Sequence, residues 1–158
     1  AWYEADNPEP GVAFGYTKNW GPGGGPQLTW RRNIYSLPAR GSAAGGGYST
    51  VDDLLAFTSA LLADRLLTPA YTDWFLSGRE PVAGGGDRAP DPAVRNQGGV
   101  GFAGGAPGIN SMLDVDLERG FTVVVMGNYD PPAAMNAART IRRILAAVVE
   151  EAPAVAER

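Results

Sequence analysis

The sequence predicts an α+β fold in which an antiparallel sheet packs against a C-terminal helix. Three features indicate it: capped helical segments in the first half, a glycine-rich extended segment followed by a strand pair in the second half, and a long amphipathic stretch near the end. A chain of 158 residues has the size of one ordinary domain. We therefore expect a single domain with three strands and a further short helical segment.

Composition disfavours several classes of function. The formal net charge is −4, and Lys18 is the one lysine among 13 basic residues, whereas nucleic acids need a clustered basic surface. The absence of cysteine and histidine removes thiol chemistry, imidazole bases and the usual zinc ligands. No apolar run approaches the ~20 residues that span a bilayer. We expect no nucleic-acid partner, no membrane partner, no metal and no cofactor.

The chain begins without methionine and without the basic start and apolar centre of a signal peptide, which indicates an internal starting point. Residues 1–47 show no periodicity, and their glycine, proline and aromatic residues predict extended segments and loops. Residues 79–98 mix glycine, proline and charge, which predicts a surface loop, and the tail at 151–158 is expected to fray.

Residues 48–78 are predicted to be helical. Leucine and valine recur at helical spacing from about Val51 to about Ala63. Ser49 and Thr50 can each accept an N–H of the first turn, and two aspartates follow near the positive end of the helix.

A second, short helix is predicted immediately afterwards. Thr68 is its expected cap, Pro69 takes the first helical position, and Gly78 is the stop.

Residues 99–150 are predicted to contain the sheet and the terminal helix. The segment GFAGGAPG is expected to be a strand, followed by a strand pair joined by a tight turn at 118–120. Residues 109–118 alternate, so we expect their apolar side to be buried and their polar side, with Asp114, Asp116 and Glu118, to face solvent. Residues 121–126 are apolar on both faces, which is typical of a covered strand in the centre of its sheet.

The last helix is predicted to start at Asp130, with that residue as the cap and Pro131 at the first helical position. An apolar stripe should pack across the strand pair. The stripe consists of Met135, Ala138, Ile141, Leu145 and Val148, and the opposite side carries Arg139, Arg142 and Arg143.

Two motifs with possible chemistry have simpler explanations. Gly99, Gly101 and Gly104 satisfy GxGxxG, but a strand rather than a helix is expected to follow, so no helix terminus would hold a pyrophosphate. The alternating carboxylates of the strand at 109–118 could bind calcium or act as acid and base, but they lack the spacing of a calcium loop. We interpret them as the solvated side of a sheet.

Nucleophilic catalysis has no complete motif in this sequence. The chain contains no GxSxG, no Ser-x-x-Lys and no Tyr-x-Asn, and Gly15 stands three residues before Lys18. We therefore assign no catalytic residue within the chain.

The order of the stretches GGGYSTVDDLLAFTSALL, GFAGGAPG and VVVMGNYDPPAA resembles the C-terminal half of the serine β-lactamase and penicillin-binding protein superfamily. In particular, it resembles class C β-lactamase-like esterases and D-Ala-D-Ala carboxypeptidases, and the likeness covers residues from about 14 to about 149. The resemblance implies a partial domain, a small acyl or peptide substrate, and export from the cytoplasm. In the family, the active site lies between the sheet and an all-helical region.

Three motifs meet in the active site of that family. A Ser-x-x-Lys supplies the nucleophile and a Tyr-x-Asn assists proton transfer; both would lie upstream of Ala1. The third motif, Lys-Thr-Gly or His-x-Gly, lies on the edge strand and falls by resemblance on Phe102, Ala103 and Gly104. The backbone N–H of Gly105 would then help to form the oxyanion hole, since glycine lets a substrate approach the strand closely.

Two positions leave the function open. Phe102 stands where relatives carry lysine or histidine, and it can neither polarise a leaving group nor pair with a carboxylate. Asn128 corresponds either to a polar residue on the rim of the site or to a turn residue at a strand end. The chain is therefore expected to be part of a serine hydrolase that is inactive alone, or a non-catalytic binding relic of that fold.

The missing half of the family fold also predicts a partner. The strand at 121–126 would normally pair with a strand from the N-terminal part of the fold. Alone it has an open edge, and unpaired backbone groups favour association. We expect self-association, or pairing with the N-terminal half, through this strand.

Overall fold

The structure, a computed structural model, describes residues 11–19, 28–38, 41–43, 45–76 and 99–151. Its elements are β1 (Tyr16–Thr17), β2 (Arg31–Arg32), a 3-10 turn (Ile34–Ser36), α1 (Val51–Leu62), α2 (Pro69–Leu76), β3 (Val100–Ala106), β4 (Ile109–Asp116), β5 (Phe121–Gly127) and α3 (Ala133–Glu151). This arrangement confirms the α+β fold. The predicted loop at 79–98, the stop at Gly78 and the predicted tail beyond Glu151 lie outside the described residues.

The main sheet has three antiparallel strands in the order β3-β4-β5. Phe102 pairs with Leu113 across β3 and β4, and Leu113 pairs with Val124 across β4 and β5. The central strand is thus β4, and the prediction that residues 121–126 are central in the sheet is wrong for the described part of the chain. Apolar side chains on both faces of β5 are explained by helices, because α1 and α3 both contact this strand.

The polar face of β4 is buried. Asn110, Asp114 and Asp116 are all less than 9% exposed, with Asp116 at 1%. The prediction of a solvated carboxylate face is therefore wrong, because α3 packs along this side of the sheet. The opposite face of β4 supplies Leu113 and Val115 to the apolar core.

Arginine side chains explain how two buried carboxylates are tolerated. Arg142 on α3 approaches Asp114 at 3.3 Å and Asp116 at 3.4 Å, and the backbone N–H of Arg119 donates to Asp116 at 2.8 Å. Arg119 also binds Glu150 at 2.7 Å, which ties the β4–β5 turn to the end of α3. Burial raises the pKa of Asp116, but the Arg119 N–H and the two arginine charges outweigh burial and lower the pKa below its ordinary 3.8.

This pairing changes the predicted orientation of α3. Arg142 faces the sheet rather than the solvent, and the buried residues of the helix are Ala134 and Ala138. In the predicted stripe, Ile141 is 40% and Val148 is 58% exposed. The helix is rotated so that a guanidinium group reaches the carboxylates, which hydrophobic periodicity alone does not encode.

The start of α3 also differs from the prediction. The helix begins at Ala133, three residues after the expected cap at Asp130. The N–H of Ala134 donates instead to the Asn110 side chain at 2.7 Å. A residue from β4 therefore caps this helix, and Asp130 is engaged elsewhere.

The two earlier helices begin as predicted. Thr50 is the cap of α1, and its side chain and that of Asp53 form a reciprocal capping box. Pro69 occupies the first position of α2. These starts were predictable because the capping residues are adjacent in sequence to the helices that they cap.

Candidate functional site

Four of the five residues predicted to contact a substrate lie side by side on β3. Phe102, Ala103, Gly104 and Gly105 are all exposed, and β3 pairs only with β4 in the described part of the chain. The predicted edge position of this strand is confirmed. A turn and then β4 follow the glycines, so the GxGxxG match does not open a helix and has no dinucleotide context.

The orientation of the Gly104–Gly105 peptide follows from the register of β3 and β4, in which Gly104 pairs with Ser111, and from one side-chain hydrogen bond. Asn110 Nδ2, on the β4 side, donates to the Gly104 carbonyl oxygen at 3.1 Å. This carbonyl therefore points toward β4. Because a trans peptide holds its C=O and N–H on opposite sides, the N–H of Gly105 points away from β4, off the outer edge of β3. Such a donor can interact with a molecule bound along that edge.

The two glycines differ in how closely their surroundings approach. A Cβ at Gly105 would lie 2.9 Å from Pro131 Cγ, and a Cβ at Gly104 would lie 2.8 Å from Ser111 Oγ. Each side of the strand at this point is already occupied by its own neighbour. The proline ring beside Gly105 is rigid, so a side chain at Gly105 would have to displace β3, whereas the Ser111 hydroxyl can rotate away from a side chain at Gly104.

Phe102 forms an apolar wall at this edge. Its ring stacks on Phe75 of α2, with ring centroids 5.6 Å apart and an interplanar angle of 18°. The ring remains 38% exposed. This edge of the sheet thus presents an aromatic surface that stacks on a second aromatic ring.

Both residues of the turn between β3 and β4, Pro107 and Gly108, form hydrogen bonds with side chains from other segments. Asp130 Oδ1 accepts the N–H of Gly108 at 2.7 Å, and Asn33 Nδ2 donates to the carbonyl of Pro107 at 2.9 Å. A Cβ at Gly108 would lie 2.9 Å from the Asn33 side chain. Segments distant in sequence therefore fix the end of the strand that carries Gly105.

Asp130 also binds the N-terminal segment. Its Oδ2 accepts the N–H of Lys18 at 2.8 Å, and the Thr17 hydroxyl and Asn19 side chain contribute further hydrogen bonds. Burial alone would raise the pKa of Asp130, but these hydrogen bonds, with those from Lys18 and Gly108, hold the pKa below its ordinary value of 3.8. The carboxylate is thus ionised at neutral pH and joins three segments.

Asn128, the fifth predicted residue, lies just beyond β5 and not on β3. Its Nδ2 donates to the Phe14 carbonyl at 3.0 Å, and its own carbonyl accepts the N–H of Tyr16 at 2.8 Å. The structure therefore holds Asn128 against the N-terminal segment through its side-chain nitrogen and its own carbonyl. This arrangement agrees with the alternative assignment of Asn128 as a residue at a strand end.

Sequence reasoning missed Asn110 and Asp130 as residues that hold the candidate site. Asn110 was placed on a solvated face, and Asp130 was interpreted as a local helix cap. A weak signal for Asn110 existed, because an asparagine side chain can donate and accept at once and is suited to a buried bridge. The partners of Asp130 are 22 and 112 residues away, so no local pattern could have identified them.

The described residues contain neither a metal-binding cluster nor a membrane-spanning helix. Among the described residues, no group of three or more histidine, cysteine, aspartate or glutamate side chains is placed to hold a metal ion. Within the same residues, no helix has both the length and the apolarity required to cross a membrane.

Comparisons with known proteins identify the family of the chain and a similar fold. The family model described as Beta-lactamase matches residues 1–148. The crystal structure of a penicillin-binding protein from Bacillus halodurans is similar in fold, with a TM-score of 0.68 and 23% sequence identity over 91% of this chain. The chain spans 44% of the length of that structure. No curated protein sequence matches the chain. The match to the family model covers nearly all of the described elements, and the chain therefore belongs to the beta-lactamase family.

Proposed function

We propose that this chain forms the substrate-facing C-terminal part of a serine hydrolase that acts on a β-lactam, a D-Ala-D-Ala peptide or a small ester. A serine from the complementary half of the fold attacks the acyl carbon, and the electrons of the C=O bond move onto its oxygen. The N–H of Gly105 stabilises that oxyanion. The serine proton passes to a base of the complementary half and from there to the leaving group, which departs as the C=O bond re-forms. Water then adds to the acyl carbon and releases the acid, and the serine recovers a proton.

One observation carries this proposal. The N–H of Gly105 points off the outer edge of β3, because the Gly104 carbonyl of the same peptide is held on the β4 side. Preorganised N–H donors of this kind stabilise developing negative charge, and removal of one costs ~100-fold or more in rate. Family membership supports the same assignment.

The experiment is a hydrolysis assay with nitrocefin and p-nitrophenyl butyrate. The chain is assayed alone and together with the complementary half of the fold, which carries Ser-x-x-Lys and Tyr-x-Asn. We expect turnover only in the combined form. Absence of turnover in both forms would overturn the hydrolase proposal.

A variant sharpens the assay at the position where the chain departs from its relatives. Phe102→His introduces a side chain that can donate a proton to a leaving group, so we expect it to raise kcat/KM in the combined form. Phe57→His on α1 is the matched control, because Phe57 has a similar exposure of 42%. Equal effects of the two substitutions would show that the position of Phe102 has no special role.

A second function is favoured by the stacked pair Phe75 and Phe102. An aromatic wall without an ionisable group suits retention of an acyl or peptide ligand without cleavage. Isothermal titration with a D-Ala-D-Ala peptide distinguishes this function: binding without turnover supports a non-catalytic descendant of the fold.

We also propose that β5 provides the surface for the complementary half or for a second copy of the chain. Two features support it: β5 pairs only with β4 among the described residues, and Met126 at the end of this strand is 43% exposed. An open strand edge favours association. Analytical ultracentrifugation tests this, and a stable monomer with full secondary structure would contradict it.

A further inference from the structure

We infer that Asn110 is a positioning residue for the oxyanion donor, and that its side chain transmits hydrogen-bond polarisation from the start of α3 to the Gly104–Gly105 peptide. This inference rests on the proposed function, because that function gives the N–H of Gly105 its role. It adds a residue outside the three family motifs to the machinery of the site.

Asn110 is 2% exposed, and both polar atoms of its side chain have partners. Oδ1 accepts the N–H of Ala134 at 2.7 Å, and Nδ2 donates to the Gly104 carbonyl at 3.1 Å. A backbone N–H can only donate, so the atom facing Ala134 must be the oxygen. The amide orientation is thereby fixed, and the NH₂ group is directed at Gly104.

These contacts form a continuous series of amide groups. The Ala134 N–H at the start of α3 donates to the Asn110 oxygen, the Asn110 nitrogen donates to the Gly104 oxygen, and the same peptide presents the Gly105 N–H. Each hydrogen bond polarises the next, by ~10–30% per bond. The positive partial charge at a helix N-terminus acts in the same direction. Gly105 thus becomes a stronger donor than an isolated peptide N–H.

The same contacts resist rotation of the peptide. Turning the Gly105 N–H inward would move the Gly104 carbonyl away from Asn110 and from its register partner Ser111, and it would leave a buried NH₂ group unpaired. The position of Pro131, 2.9 Å from where a Cβ of Gly105 would lie, limits movement on the α3 side of the strand. The Asn110 side chain therefore contributes both to the direction of the Gly105 N–H and to its strength as a donor.

Nuclear magnetic resonance of the isotopically labelled chain tests this without requiring catalysis. In Asn110→Ala, we expect the Gly104 carbonyl carbon and the Gly105 amide proton to shift upfield, because both lose polarisation. Asn136→Ala, at an exposed asparagine of α3, is the control and should leave both signals in place. Unchanged Gly104 and Gly105 signals in a folded Asn110→Ala protein would overturn the inference.

Asn110→Asp separates polarisation from packing, because the two side chains have nearly the same shape. At neutral pH the new carboxylate accepts from Ala134 but cannot donate to Gly104, so we expect the upfield shifts. On acidification the protonated carboxyl donates again, and both signals should return toward their wild-type positions. Absence of that return would mean that Asn110 only fills space.

The acid titration needs a correction for other groups on this face of the sheet. The charged groups there are Asp114 and Asp116 on β4 and Arg139 and Arg142 on α3, and Asp130 binds the neighbouring turn at Gly108. Wild-type protein titrated over the same pH range gives their contribution, which is subtracted from that of Asn110→Asp.

Kinetics in the combined form provide a second readout. Asn110→Ala should lower kcat with KM nearly unchanged, by less than the ~100-fold that removal of an oxyanion donor costs. A rise in KM at constant kcat would overturn the role in transition-state stabilisation. If the wild-type protein turns over no substrate, the hydrolase proposal fails, and the resonance shifts alone decide whether Asn110 orients and polarises the peptide.

Discussion

At its start β4 buries a neutral amide, Asn110, whereas toward its end it buries two carboxylates, Asp114 and Asp116, on the same face and against the same helix. The carboxylates can only accept, and they are balanced by Arg142 and Arg119. The amide donates and accepts at once, so it joins α3 to β3 without any charge.

The difference separates two tasks on one strand. Ion pairing at the end of β4 anchors α3 by a strong but poorly directional attraction, whereas the amide at its start sets the direction of a particular peptide. We expect the charged end to contribute more to stability and the amide end to contribute more to function. Substitutions at the two ends of β4 and beside them test this division, and their expected effects decrease from the charged end to the aromatic wall.

The largest effect is expected at the charged end. Asp116→Ala leaves Arg142 without one partner and the Arg119 N–H without an acceptor, so we expect a loss of ~3 kcal/mol in the free energy of unfolding. Urea denaturation measures it. Glu118→Ala is the control, since that side chain is 65% exposed, and it should change stability by no more than ~0.5 kcal/mol. Equal effects would mean that the network does not anchor the helix.

A smaller loss is expected at the turn beside the amide end. Asp130→Ala leaves the N–H groups of Gly108 and Lys18 unpaired, which should cost ~2 kcal/mol. Asp52→Ala, in the exposed first turn of α1, should cost ~0.5 kcal/mol. If both substitutions cost the same, the turn between β3 and β4 is not held by Asp130.

Acidification should weaken the carboxylate contacts and spare the amide. The pKa values of Asp116 and Asp130 lie below the ordinary 3.8, so their stabilisation is complete above that value and is lost as pH falls through the folded pKa values. Urea denaturation between pH 7 and pH 2 measures this. Asp116→Asn and Asp130→Asn should each flatten the dependence, and an unchanged slope in both would contradict the assignment.

The smallest effect is expected for the aromatic wall. A double-mutant cycle of Phe75→Ala and Phe102→Ala should give a coupling energy of ~1 kcal/mol, because the rings stack. The pair Phe57→Ala and Phe102→Ala should be additive. A coupling near zero for the stacked pair would mean that Phe102 is free to leave the edge of β3.

Local patterns predicted most of the fold. The starts of α1 and α2 followed from Thr50 and Pro69, and the three strands followed from alternation, apolar runs and turn residues. The alternating pattern of residues 109–118 did not predict that a helix covers the polar face of β4. A carboxylate at Asp116 has the same sequence pattern whether it faces water or Arg142, which lies 26 residues later.

The candidate site was predictable only in part. Resemblance located the exposed glycines of β3, and the edge position of that strand is confirmed. The groups that orient them were not predictable, because Asn110 binds a helix 24 residues away and Asp130 binds across 112 residues. Contacts over such separations depend on the packed fold rather than on any local spacing.

The turns between β3 and β4 and between β4 and β5 are expected to differ in how well they tolerate inserted residues. At the turn between β4 and β5, a Cβ on Gly120 would meet no atom within 4 Å. At the turn between β3 and β4, Asp130 and Asn33 bind both residues. Gly120 has a φ of +72°, and its neighbour Arg119 is held by Asp116 and Glu150. Insertions, epitope tags or fluorescent labels are therefore expected to be tolerated better at Gly120 than at Gly108 where they keep the Arg119 contacts. For anyone engineering this chain, the turn between β4 and β5 is the better site for added sequence, and the turn between β3 and β4 is to be left as it is.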